Sequence, residues 1–258
     1  MALLVLTNVS KNFGGLQVVS RASLEVPEGS LTGLVGPNGS GKSTLFHLIF
    51  GLVRPDGGSI VFRGRPLQGL APHAVYGQGL AFAFQLPRLF FRLSVLDNLL
   101  FAARQQAGET MARALFSRRW WQRQEEALAE KAFAVMELLG LTRMALEPAA
   151  KLSGGQRKLL EIGRALMADP VLMLLDEPAA GVNPVLARQI YETLDRLRRR
   201  GLTLFVIEHR LEVLFDFADR IYLMDAGRIV LSGRPQEVLA DPLFYDTYVG
   251  AVTVNDTA

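Results

Sequence analysis

Nine consecutive residues, Gly36-Pro37-Asn38-Gly39-Ser40-Gly41-Lys42-Ser43-Thr44, constrain this chain more than any other stretch. They follow an apolar run, Leu31–Val35, that reads as a strand. They open a segment, Lys42–Phe50, that reads as a helix stopped by Gly51. The glycines let the backbone curl so that successive N–H groups point inward, where phosphate oxygens would sit. The helix N-terminus adds partial positive charge at the same place. Lys42 is expected to reach the β- and γ-phosphates of a nucleotide, and Ser43 to offer its hydroxyl to Mg2+. A chain of this length meets such a pattern by chance only about 1% of the time. A strand, a phosphate loop and a helix in this order call for an α/β fold with a nucleotide at one sheet edge.

The chain has 258 residues, 50% apolar and 21% charged, enough to bury a substantial core. No apolar run approaches the roughly eighteen residues that a membrane-spanning helix needs. Met1–Asn8 lacks the basic start and small-residue cleavage site of a secretory signal and is expected to be a first strand. Basic and acidic residues, 28 and 25, leave +3, too little for the concentrated basic face of a nucleic-acid binder. Zero cysteines exclude disulfides and thiol catalysis, and His47, His73 and His209 are too scattered for a zinc site.

Short apolar runs separated by turns mark further strands at Leu3–Leu6, Leu24–Val26, Ser59–Phe62 and Gly79–Phe84. From about Val95 to Gly140 the residues favour helix, and Leu128, Ala132, Val135, Met136 and Leu139 recur at helical spacing. Strands return at Val171–Leu175, Thr203–Ile207, Ile221–Met224 and Arg228–Leu231. Between the first two of these, Asn183 is a candidate cap, Pro184 suits a first turn, and Gly201 ends a helix. Its expected buried stripe is Leu186, Ile190, Leu194 and Leu197. The Arg198-Arg199-Arg200 run falls in its last turn, where cations suit the helix dipole. The expected organisation is one domain over residues 1–258, with a helical subdomain inserted at about 88–168.

Val171–Leu175 is apolar on both faces, as in a buried central strand, and ends in Asp176-Glu177-Pro178. Carboxylates at the carboxyl end of such a strand need a purpose or a partner. Asp176 suits a Mg2+ ion held through water, and Glu177 suits a general base for an attacking water.

The order of motifs is the phosphate loop, Gln85 after a strand, Leu152-Ser153-Gly154-Gly155-Gln156, Asp176-Glu177, then His209 after a strand. The set resembles the nucleotide-binding subunit of ATP-binding-cassette (ABC) transporters over nearly the whole chain. That resemblance implies a P-loop NTPase core, a RecA-like mixed sheet with an antiparallel β subdomain, plus the inserted helical subdomain. It implies ATP and Mg2+, with Phe13 stacking on adenine, Gln85 sensing Mg2+ and water, and His209 contacting the γ-phosphate. Ser153, Gly155 and Gln156 open a helix, expected from about Gln156 to Met167, whose N-terminus attracts anions. In the family this turn faces the γ-phosphate held by the other subunit, so the resemblance also implies a homo- or heterodimer. Further implied partners are integral membrane permeases and, indirectly, a substrate-binding protein, with the chain at the cytoplasmic face of the cell membrane. No nucleic acid is expected.

Phe84–Phe90, Leu93–Leu99, Leu160–Leu166, Asp176–Pro184 and the ending Val238–Pro242 with Tyr248-Val249-Gly250 resemble the larger ATPase subunit of branched-chain amino acid importers. So does the extra stretch from about Ala102 to Glu125. Two features depart from that subfamily: the signature Leu152–Gln156 has the general transporter form, and Arg210 follows His209 where an acidic residue is common. Urea, another polar solute or lipopolysaccharide export are therefore alternative cargoes. A soluble, non-transport cassette is a rival, as is a P-loop kinase or GTPase, although the latter lacks the signature segment. Arg118-Arg119-Trp120-Trp121-Gln122-Arg123 suits either a membrane or partner contact or an amphipathic helix with its tryptophans inward.

Overall fold

The computed structural model describes residues 1–83, 89–103 and 118–255, the last seven of these and residues 118–124 by their backbone alone. Two sheets form its frame. One has four strands in the order β2(Leu16–Pro27), β1(Ala2–Phe13), β4(Gly57–Phe62), β5(Arg65–Pro66), all antiparallel. The other has six, in the order β10(Arg228–Gly233), β9(Arg220–Asp225), β3(Leu31–Val35), β8(Thr203–Ile207), β7(Leu172–Asp176), β6(Leu80–Ala83). Strands β9, β3, β8, β7 and β6 run parallel and β10 returns antiparallel.

Every residue of β3, β7 and β8 is buried, because both faces of this sheet are covered. Alternate side chains therefore feed two cores. Leu31, Val35, Met173, Leu175, Leu204 and Val206 enter one, with helical residues such as Ala132, Leu160 and Ile190. Leu34, Leu172, Leu174, Phe205 and Ile207 enter the other, against the four-stranded sheet and α1(Lys42–Ile49). Phe46 of α1 packs against Phe205 with ring centres 4.9 Å apart and planes tilted by 57°, a fully buried pair.

The remaining helices are α2(Pro72–Gly77), α3(Val95–Leu100), α4(Arg118–Leu139), α5(Gly154–Leu166), α6(Pro184–Arg199), α7(Leu211–Phe217), α8(Pro235–Ala240) and α9(Pro242–Asn255). In α4 the spaced residues Ala132, Val135, Met136 and Leu139 are buried, and Leu128 is half-buried. The stripe of α6 is broader than its spacing suggests, with Ala187, Tyr191 and Thr193 buried beside Ile190, Leu194 and Leu197. Leu186 is only half-buried, at the stripe's edge. Of the arginine run that ends α6, Arg198 bridges Asp195 at 2.8 Å and Asp219 at 3.2 Å, and Arg199 reaches Asp195 at 2.9 Å. Gln85, the stretch 104–117 and the side chains of Arg118–Arg123 lie outside the described residues, so the expectations placed on them stand as sequence readings.

Candidate functional site

Strand order assembles the site. β8 lies between β3 and β7, and all three point the same way, so the loops at their carboxyl ends meet on one edge. The phosphate loop leaves β3, Asp176 ends β7 with Glu177 just after it, and His209 follows β8. Together Asn38, Gly39, Gly41, Lys42, Ser43, Thr44, Glu177, His209 and Val18 line an open cleft of about 220 Å3.

The loop's shape depends on missing side chains. Gly36 has φ +151°, and a Cβ there would sit 2.0 Å from the Met224 carbonyl oxygen. At Gly41, φ +102°, it would meet the Val18 carbonyl at 2.6 Å. The turn between β9 and β10 completes the packing, since the Gly227 N–H donates to the Ser40 carbonyl at 3.0 Å and the Ser20 N–H to the Gly227 carbonyl at 2.8 Å. Lys42 lies inside the curl, its ammonium donating to the carbonyls of Gly36 at 2.9 Å and Pro37 at 2.8 Å and to Ser40 Oγ at 3.4 Å. Burial lowers its pKa, opposed by the charges of Glu177 and Asp176.

Asp176 is 6% exposed. Burial and the neighbouring Glu177 raise its pKa, while a hydrogen bond with Ser43 opposes the rise. Its Oδ1 is buried with no hydrogen-bond partner. An orphaned carboxylate oxygen beside a serine hydroxyl, at the mouth of a phosphate loop, fits Mg2+, a hard ion that takes few protein oxygens and keeps water and phosphate as its other ligands.

Glu177 sits in the left-handed region, φ 52°, a conformation that costs a bulky residue about 1–3 kcal/mol. Its N–H donates to the Ile207 carbonyl at 2.9 Å, and its Oε1 lies 3.0 Å from His209 Nε2. The buried Lys158 of α5 donates to the Glu177 carbonyl at 3.4 Å. Burial lowers the pKa of that lysine, with Glu161, Glu177, Glu208 and Asp176 acting against the shift. Lys158 and Glu208 are structural partners of the site that sequence reasoning left without a role; charged residues next to the motifs were the available signal.

The Ser153–Gln156 turn contributes nothing to the lining of that cleft. Ser153 caps α5, which begins at Gly154, two residues earlier than expected. The Gln156 N–H donates to Ser153 Oγ at 3.3 Å and the Ser153 N–H to Gln156 Oε1 at 2.9 Å, a capping box. Gly155 packs on α6, where a Cβ would fall 2.0 Å from Leu186 Cδ2. Gly154 has nothing within 4 Å of a Cβ, so nothing in this chain requires glycine there. Phe13 stands at the β1–β2 hairpin tip, 48% exposed, with the Lys11 ammonium 5.4 Å from its ring centre. It is not a core residue, and its strand partner β2 also carries Val18, which does line the cleft.

Residues 19–180 match the sequence profile of the ABC transporter family. The chain is 38% identical over 251 residues to a probable branched-chain amino acid transport ATP-binding protein, LivG, of Archaeoglobus fulgidus, covering 97% of this chain and 96% of the relative. It is 34% identical to the lipopolysaccharide export system ATP-binding protein LptB of Haemophilus influenzae, covering 97% and 98%. The crystal structure of an ABC transporter's ATP-binding cassette in its ADP conformation superposes with a TM-score of 0.85 at 38% identity, covering 97% of this chain and 99% of that one. With the profile matching most of the chain and relatives aligned almost end to end, this protein belongs to the ABC transporter family, as one of its ATP-hydrolysing cassette subunits.

Proposed function

We propose that this chain is the ATPase subunit of an importer for branched-chain amino acids, held at the cytoplasmic face of the membrane by permease subunits and working as half of a dimer. The observation that supports the chemistry best is the convergence of Lys42, Asp176, Glu177 and His209 at one sheet edge. The cargo rests on the likeness to LivG and on the segments quoted above. The general form of the signature segment and the likeness to LptB keep lipopolysaccharide export as a second reading.

Within the site, the curled backbone of Gly36–Thr44 and the Lys42 ammonium hold the β- and γ-phosphates. Phe13 takes the adenine on its exposed ring face. Ser43 and Asp176 would hold Mg2+, which would supply charge neutralisation at the phosphates. Glu177 orients the attacking water and accepts its proton, while His209, 3.0 Å away, holds Glu177 and reaches the γ-phosphate. Because the Ser153–Gln156 turn is not part of its own chain's cleft, the Ser153 hydroxyl and the Gly154 and Gly155 N–H groups, which donate nothing to the capping box, are assigned to the nucleotide of the partner subunit.

Replacing Glu177 by Gln keeps the shape and removes the base. The expected variant binds ATP normally, loses about 100-fold or more in turnover, and accumulates as an ATP-bound dimer on size exclusion. Hydrolysis near the wild-type rate would remove Glu177 from the mechanism. Reconstitution with the permeases decides the cargo: acceleration of ATP hydrolysis by a leucine-loaded binding protein supports import, and acceleration by lipopolysaccharide alone supports export.

A further inference from the structure

Glu208 lies between Ile207, the last residue of β8, and His209, and is 1% exposed. A carboxylate removed so far from water needs several donors. Its Oε1 accepts from the backbone N–H groups of His209 at 2.9 Å and Arg210 at 3.3 Å. Its Oε2 accepts from the Ala179 N–H at 3.3 Å and from the Tyr191 hydroxyl at 3.3 Å. The donors belong to three separate pieces of chain: the loop after β8, the loop after β7, and α6. Burial and Glu208 itself hold the Tyr191 hydroxyl well above its ordinary pKa, so it remains a donor.

The consequence is geometric. Residues 177–179 form a short bridge fastened at one end by the Glu177 N–H on the Ile207 carbonyl and at the other by the Ala179 N–H on Glu208. Between the fastenings the backbone is held left-handed at Glu177. His209 springs from the same pair of residues that anchor the bridge. We propose that Glu208 is a positioning residue for hydrolysis: its carboxylate ties the loop behind Glu177 to the loop carrying His209 and so fixes the 3.0 Å approach of their side chains.

The inference rests on the roles given above to Glu177 and His209. A purely structural Glu208 would be felt in stability and in nucleotide affinity alike; a positioning residue is felt in turnover at fixed affinity. The test measures kcat, KM for ATP and the thermal midpoint of the assembled ATPase. Glu208→Ala is expected to lower kcat about 100-fold, the loss that a displacement on the order of 1 Å can bring, with KM changed by less than about twofold. Glu208→Gln keeps one acceptor oxygen and turns an amide toward a donor, so it should recover about tenfold of that loss. Tyr191→Phe removes one donor from the carboxylate and keeps the ring in the core, so kcat should fall about threefold with KM unchanged. Unchanged kcat in Glu208→Ala, or a fall matched by an equal rise in KM, overturns the proposal. If Glu208→Ala does not fold, a wild-type kcat in Tyr191→Phe overturns it. Glu177→Gln run alongside separates the two readings. If it is inactive while Glu208→Ala is unimpaired, only the positioning role falls. If it is active, the mechanism itself falls, and this inference with it.

Discussion

Gly155 shows how tightly single residues are specified around the signature turn. A Cβ at this position would lie 2.0 Å from Leu186 Cδ2. Gly155→Ala should therefore destabilise the protein by about 1–3 kcal/mol, the usual range for forced overpacking, lowering its thermal midpoint. Adding Leu186→Ala should return part of that loss by opening the space; a double mutant no more stable than Gly155→Ala would remove Leu186 as the cause. Lys42, Asp176 and Glu177 could be located in the sequence because each sits in a contiguous motif whose neighbours determine its chemistry. The reason for Gly155 could not, because its contact is on another helix. The same holds for Glu208, whose donors Ala179 and Tyr191 are distant in sequence.

Among the elements, α6 joins the turn after β7 to the signature helix. Asn183 caps it, its Oδ1 accepting from the Leu186 N–H at 2.8 Å, so Asn183→Ala should cost about 1 kcal/mol in chemical denaturation. An unchanged midpoint would show that tertiary packing alone holds the helix start. The cap, Pro184 and the central strands were legible because caps and continuous apolar runs are local signals. Other boundaries were not. β2 begins at Leu16 rather than Leu24, because Arg21, with φ 51°, and several register shifts break the alternation along the β1–β2 pair. α5 starts at Gly154 because the Ser153–Gln156 capping box outweighs the helix-breaking character of two glycines.

For the whole molecule, the cleft and the signature turn of one chain are separate surfaces, so the proposed mechanism calls for two chains in a closed two-fold arrangement. Specific ATPase activity of the isolated subunit should rise with protein concentration and level off as dimers saturate. Constant specific activity down to concentrations where light scattering finds only monomer would refute shared sites. The arrangement of the cleft itself was legible only in part: the sequence order of motifs is clear, but the placing of β8 between β3 and β7 is a matter of topology. That placing also bears on biosynthesis. β3 finds both of its sheet neighbours, β8 and β9, in the last quarter of the chain, and its phosphate loop leans on the Met224 carbonyl and the Gly227 N–H. On the ribosome, the loop and α1 emerge early with β1, β2 and β4 to pack against, but the sheet neighbours of β3 and the β9–β10 turn that supports the loop come only when most of the polypeptide has been made. The loop is thus expected to reach its final shape only after Asp176, Glu177 and His209 have also been synthesised.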